Sequence, residues 1–153
     1  MVAKATLDAE YSVIGCLLVD PSIAGELISL TRPEDFTVPE LRAVYNAAVK
    51  LFSAGRPVDA VTIRGVCGAE YNDLLMQCME ITPTSFGWRT YISAMQEQTR
   101  VTRLQELAAQ MANVRTSAEG RDLLGKAGEI LSEKSAAQIV TMEQALVQFY
   151  TEQ

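Results

Sequence analysis

The sequence predicts an all-α protein: a small globular helical head, then an antiparallel helical hairpin and a linker helix. Three observations carry this. Apolar residues recur at helical spacing along most of the chain, and strand-like alternation is confined to short fragments. Helix start and stop signals (Thr37-Val38-Pro39-Glu40, Gly55, Asp59, Gly68) punctuate it at helix-length intervals. The stretch from Trp88 to Val114 contains no Gly or Pro, so nothing stops a helix of about 40 Å. Its apolar residues form two faces. Trp88, Tyr91, Ile92 and Met95 share one; Val101, Leu104, Leu107, Ala108 and Met111 share another, about half a turn away at 100° per residue. The switch falls in the polar run Gln96-Glu97-Gln98-Thr99-Arg100. One helix is therefore expected to serve two bodies, with a kink near Thr99 as the alternative.

Residues 1–6 read as a loose tail and residues 7–98 as the head. A first helix from Leu7 to Val19, with Thr6 as its cap, is apolar around much of its circumference (Val13, Ile14, Cys16, Leu17, Leu18) and belongs at the centre. Asp20-Pro21 breaks it, and Ser22 caps a short helix to Leu30 carrying Ile23, Leu27 and Ile28. Phe36 anchors the connector after Pro33. Thr37 and Glu40 form a capping box with Pro39 in the first turn, opening a helix to Ser53 whose Leu41, Val44, Tyr45, Ala48, Leu51 and Phe52 face inward. Gly55 ends it. Asp59 caps Ala60–Cys67, and Gly68 closes that helix. Ala69–Glu80 is helical with Leu74, Leu75, Cys78 and Met79 inward. Thr84 or Ser85 caps the long helix.

Residues 99–133 read as the hairpin. Thr116-Ser117-Ala118-Glu119 is a second capping box at a tight reversal, and the helix after it carries Leu123, Leu124, Ala127, Ile130 and Leu131. Two helices cannot surround their own apolar stripe, so Leu104, Leu107, Ala108 and Met111 with these five residues are the expected self-association surface, a second hairpin completing a four-helix bundle. Residues 134–140 read as a linker and residues 141–153 as a last amphipathic helix whose Leu146, Phe149 and Tyr150 need a docking site elsewhere.

Composition narrows the function. The 153 residues carry a net charge of −6, 48% hydrophobic and 21% charged residues, and no cluster of Lys or Arg. Direct nucleic-acid binding, which needs such a cluster to displace counterions, is not expected. Three cysteines (Cys16, Cys67, Cys78) outside any CxxC spacing fit buried thiols in a reducing, cytoplasmic setting. No apolar run approaches the roughly 20 residues that span a bilayer, and no signal peptide is visible. The chain has no histidine, hence neither the commonest general base nor the commonest metal ligand.

Each motif has a structural explanation. Gly120-Arg121-Asp122-Leu123-Leu124-Gly125-Lys126-Ala127 nearly matches a P-loop, but Ala127 replaces the Mg²⁺-ligating hydroxyl and no strand precedes Gly120. The carboxylate pairs Glu34/Asp35 and Glu97/Glu106 lack a partner base, so they read as solvated helix faces. Trp88 and Tyr91 could stack a base, yet without interleaved cations they read as head packing. Arg100 and Arg103, at the stripe switch, are the candidates for polar contacts with a partner or between head and arm. No catalytic, metal or cofactor site is expected.

The order of elements resembles the N-terminal domain of DnaB-type replicative helicases. The resemblance rests on Leu7-Asp8-Ala9-Glu10 with Val13–Asp20, Pro33-Glu34-Asp35-Phe36, Leu41-Arg42 through Leu51, Gly55-Arg56-Pro57-Val58-Asp59 with Val61-Thr62, and the Thr82-Pro83-Thr84-Ser85 turn. It covers about residues 7–150. Between Thr62 and Thr82 the chain is shorter than the usual pattern and lacks its Gly-Gly, and Leu41 stands where a His is common. The resemblance implies a collar domain in a hexameric ring, hairpin-mediated dimer contacts, docking of the primase C-terminal domain or a helicase loader, and a linker helix packing on a neighbouring motor domain. The motor is not in this sequence, which reads as an N-terminal piece of an ATP-dependent 5'-3' DNA helicase, bacterial or phage. Two alternatives are the helicase-binding domain of a primase and a stand-alone helical adaptor.

Overall fold

The computed structural model describes residues 4–132, with side chains from residue 9 onward. Among the described residues the chain is all-α, with seven α-helices, three one-turn 3-10 segments and no strand. The helices are α1 (Lys4–Val19), α2 (Ala24–Leu30), α3 (Pro39–Ser53), α4 (Ala60–Cys67), α5 (Asn72–Glu80), α6 (Trp88–Met111) and α7 (Ser117–Ser132). The chain divides into two compact units between Met95 and Gln96, inside α6 and at the edge of the polar run where the apolar faces switch. The expected linker at 134–140 and the last helix at 141–153, with Leu146, Phe149 and Tyr150, lie outside the described residues.

In the first unit α1 is the central helix. Val13, Ile14, Cys16 and Leu17 are fully buried, and α1 packs against α5 and α3. The approach to α5 requires Gly15: a Cβ there would sit 2.3 Å from both the Cys78 carbonyl oxygen and Thr82 Oγ1. The start of α1 differs from expectation. The helix begins at Lys4, so Thr6 lies inside it and not at its N-cap position.

The ends of the other helices show where local signals were outbid by long-range ones. Asp20, not Ser22, caps the turn Pro21–Ile23, its carboxylate accepting from the Ser22 amide and hydroxyl. The Thr37/Glu40 box does not form; the N-cap residue of α3 is Val38, which makes no side-chain cap. Glu10 of α1 does that work instead. Its carboxylate, fully buried, accepts from the Thr37 amide at 2.5 Å, the Thr37 hydroxyl at 2.5 Å and the Val38 amide at 3.2 Å. A negative charge at the positive end of a helix is favourable, and Thr37 is thereby turned away from its own helix. Ser85 likewise donates to Asp20 at 2.9 Å and does not cap α6, which starts after Gly87 at φ +84. The Asp59 cap forms as expected, reciprocated by Thr62.

Packing of the head follows the predicted stripes with one exchange. Leu41, Val44, Tyr45, Ala48 and Leu51 of α3 are buried, whereas Phe52 is 45% exposed and Ala47 takes a buried place. Phe36 is fully buried, its ring centroid 4.9 Å from that of Tyr45, and Arg42 donates twice to its carbonyl, at 2.7 and 3.1 Å. The Tyr45 hydroxyl donates to the Thr31 carbonyl at 3.1 Å and accepts from the Thr31 hydroxyl at 2.9 Å. On α6, Trp88, Ile92 and Met95 are buried and Tyr91 is half-buried. The stretch Ala69–Tyr71 is a 3-10 turn, and regular helix begins only at Asn72.

Candidate functional site

In the second unit α6 continues unbroken to Met111, residues 112–116 reverse the chain, and α7 runs back antiparallel. Thr116 Oγ1 accepts from the Glu119 amide at 3.2 Å, while the Glu119 carboxylate accepts from the Arg115 amide at 3.1 Å. The Thr116 half of the capping box thus forms as its motif suggests, and the Glu119 half closes one residue earlier. One groove between the helices is lined by Arg103, Glu106, Leu107, Gln110, Lys126, Glu129 and Ile130. Nearer the turn, Met111 Sδ is 3.8 Å from the position a Gly120 Cβ would take.

The hairpin separates the predicted stripe into two sets. Leu123 and Ile130 are buried, and Leu104, Leu107, Met111 and Ala127 are half-buried. These form the inner seam. Leu124 and Leu131, spaced i and i+7 on α7, are 64% and 68% exposed, and Ala108 is exposed as well. A Cβ added at Gly125 or Gly128, beside the two outer leucines, would meet nothing within 4 Å. Among the described residues the outer face of α7 thus carries two exposed leucines with open space at the adjacent glycines. Sequence periodicity grouped Leu123 with Leu124 and Ile130 with Leu131, because adjacent helical residues differ by only 100° and a two-helix seam is narrow.

The remaining candidates fall into structural places. Arg100, its side chain largely covered, donates to the exposed Glu97 one turn away at 2.6 Å, and Arg103 lines the groove. The P-loop look-alike, Gly120 to Ala127, lies within α7, where the Gly120 amide bonds to the Thr116 carbonyl as in any helix start. Asp35 is buried and accepts from the Arg32 amide at 2.9 Å. Trp88 is covered by Arg89, whose guanidinium lies 4.3 Å from the ring centroid and also pairs with Glu26. It is not offered to a base. Burial pushes the Cys78 thiol up to about 12, and burial, followed by the charge of Asp20, pushes Cys16 up to about 11. Cys67 is raised by burial first and by Glu70 second. All three stay protonated near neutrality, unsuited to nucleophilic work. Among the described residues no group of His, Cys, Asp and Glu could hold a metal ion, and no single helix is long and apolar enough to cross a membrane.

A buried central helix, a capped head and a hairpin in this order are shared with a known family, and residues 2–123 match it: the DnaB-like helicase N terminal domain. The chain belongs to that family. The relatives it matches are replicative DNA helicases. It is 27% identical over 125 residues to the replicative DNA helicase DnaB of Leifsonia xyli, covering 75% of this chain and 27% of the relative. It is 26% identical over 160 residues to the replicative DNA helicase DnaC of Bacillus subtilis, covering 94% of this chain and 35% of that protein. The DnaB-type domain thus spans about a quarter to a third of these relatives. Among solved structures, the N-terminal domain of DnaB helicase from Mycobacterium tuberculosis superposes with a TM-score of 0.69 at 25% identity, covering 81% of this chain and 96% of that one.

The opening Leu7–Asp20 segment and the Gly55–Asp59 segment, two of those that carry the resemblance, lie inside the matched region. What sequence reading missed was the division of the stripe into seam and outer face. The signal that could have found it is the pair of glycines, Gly125 and Gly128, beside Leu124 and Leu131.

Proposed function

We propose that this chain is the N-terminal collar and assembly module of a hexameric, ATP-dependent 5'-3' replicative DNA helicase acting in the cytoplasm. Self-association runs through the hairpin, and the assembled collar docks the primase C-terminal domain or a helicase loader. The observation that carries the reading is the outer face of α7, where two leucines stand about two-thirds exposed in a chain of this family. Fully burying a Leu side chain contributes about 1.5–3 kcal/mol, so a second hairpin covering both would supply a substantial part of a dimer interface. The charged groups of the groove, Arg103, Glu106, Lys126 and Glu129, are of both signs and suit register more than affinity.

The test is solution mass by light scattering for the 153-residue chain and for Leu131→Glu, followed by calorimetric titration with a primase C-terminal domain. The expected result is a mass above monomer for the wild type and a monomer with undiminished helicity for the variant. A variant that keeps the native mass removes the outer face of α7 from the interface. Failure of a well-folded oligomer to bind the primase domain transfers the docking role to a loader.

A further inference from the structure

Apart from the hairpin, the head has a concave site of different chemistry. Tyr11 of α1, Glu40 in the first turn of α3, Glu70 and Tyr71 of the turn Ala69–Tyr71, and Leu74 of α5 line a cleft of about 360 Å³. That falls within the roughly 300–1,000 Å³ typical of clefts that hold an organic group. Glu40 and Glu70 are exposed, and among the described residues neither makes an ion pair or side-chain hydrogen bond. Several head arginines are engaged with other groups: Arg42 with the Phe36 carbonyl, Arg64 with Asn72, and Arg89 with Glu26. The two phenols and Leu74 are half-buried, so they present walls without closing the cleft.

The Glu70 carboxylate lies over Gly68, whose backbone has φ +112, a conformation that favours glycine. Tyr11 is raised by burial first, then by Cys78, Glu40 and Glu10. At neutral pH its hydroxyl is therefore neutral, and the field it experiences is negative.

Two carboxylates with no paired cation among the described residues, two aromatic side chains and a leucine match one kind of side chain. We propose that this cleft receives an arginine from a basic segment of a partner protein. The guanidinium is planar, pairs with carboxylates through parallel hydrogen bonds and stacks on aromatic faces, while its stem lies along apolar surface. The net charge of the chain, −6, favours approach of such a segment. The inference is independent of the hairpin and of the helicase assignment.

The experiment is an amide NMR titration of the 153-residue chain with acetyl-arginine-amide, with neutral acetyl-citrulline-amide and with spermidine. Saturating shifts confined to Tyr11, Glu40 and residues 70–74, seen with the arginine probe and not with citrulline, are expected. The double variant Glu40→Gln/Glu70→Gln should weaken that binding roughly tenfold, two charge-assisted contacts being lost, while Glu106→Gln leaves it unchanged. Both cleft substitutions are at exposed positions, and each single variant, expected to lose part of the affinity, gives a second reading. Shifts scattered over all acidic surfaces, equal binding by the double variant, or saturation of the cleft by spermidine at lower concentration than by the arginine probe would each overturn the proposal.

Discussion

Glu10 offers a test of how the head is held together. Replacing it with Ala removes all three acceptor contacts at the start of α3, to the Thr37 amide, the Thr37 hydroxyl and the Val38 amide. A hydroxyl can rotate toward another acceptor, but the two amides are left without one. At about 1–3 kcal/mol for each buried donor left unsatisfied, and with Thr37 and Val38 only half-buried so that water recovers part of the loss, the expected cost is about 3 kcal/mol. Gln is the informative control. Its oxygen can keep both amides and its NH₂ can donate to the Thr37 hydroxyl, so only the charge is lost at the helix N-terminus, about 1 kcal/mol. In a chain of this size each kcal/mol shifts Tm by about 2–4 °C. Thermal unfolding followed by circular dichroism should place Glu10→Gln slightly below wild type and Glu10→Ala about 6–12 °C below it. Equal losses for the two variants would show that charge, not acceptor count, holds α3. A loss for Glu10→Ala under about 1 kcal/mol would refute the account altogether.

Other predictions follow from the same geometry. Gly15→Ala forces a methyl to within 2.3 Å of the Cys78 carbonyl and Thr82 Oγ1, so α1 and α5 must separate; urea unfolding should show a loss of about 3 kcal/mol or more. Asp59→Ala removes the side-chain cap on the Thr62 amide, 2.9 Å away, and should cost about 1 kcal/mol in the same assay. The thiols of Cys16 and Cys78, with folded pKa values of about 11 and about 12 against 9.0 ordinarily, give a signed pH dependence. A raised folded value contributes stability that is complete below pH 9 and lost as pH climbs through 11 and 12. Denaturation midpoints should fall across that window, and less so in Cys78→Ala relative to its own neutral-pH stability. At pH 8, iodoacetamide should label Cys16 and Cys78 only after unfolding, with mass spectrometry as the readout.

The fold class, the bounds of α3 and α4, and the two-faced character of the long helix were legible because they rest on local signals: a run of apolar residues at helical spacing, Pro39 in a first turn, Asp59 and Gly68 at two ends. The capping of α3 was not, because it comes from Glu10, 27 residues away, and a capping box reads only neighbours. The same applies to Ser85, which answers Asp20 across 65 residues. Phe52 followed the stripe in sequence yet stays 45% exposed. It sits in the last turn of α3, where its ring ends 3.2 Å from the place of a Gly25 Cβ, laid along α2 and not under it. In the candidate site, the apolar hairpin residues were legible as a group, but their partition into seam and outer face was not, since it depends on where α7 lies against α6. The acidic cleft had no signature at all. Its residues come from four separate segments and share no motif.

The boundary between the two units falls inside a helix, and this fixes how each can loosen. The amides of residues 96–99 bond to carbonyls of residues 92–95 through the i to i−4 ladder of α6. A chain cut at Met95 would leave four carbonyls without donors at the end of the head. Protection against hydrogen exchange along α6 should accordingly decline as a gradient from the buried Ile92 and Met95 toward Met111, in the manner of a rope unlaying from one end, with no step at the boundary.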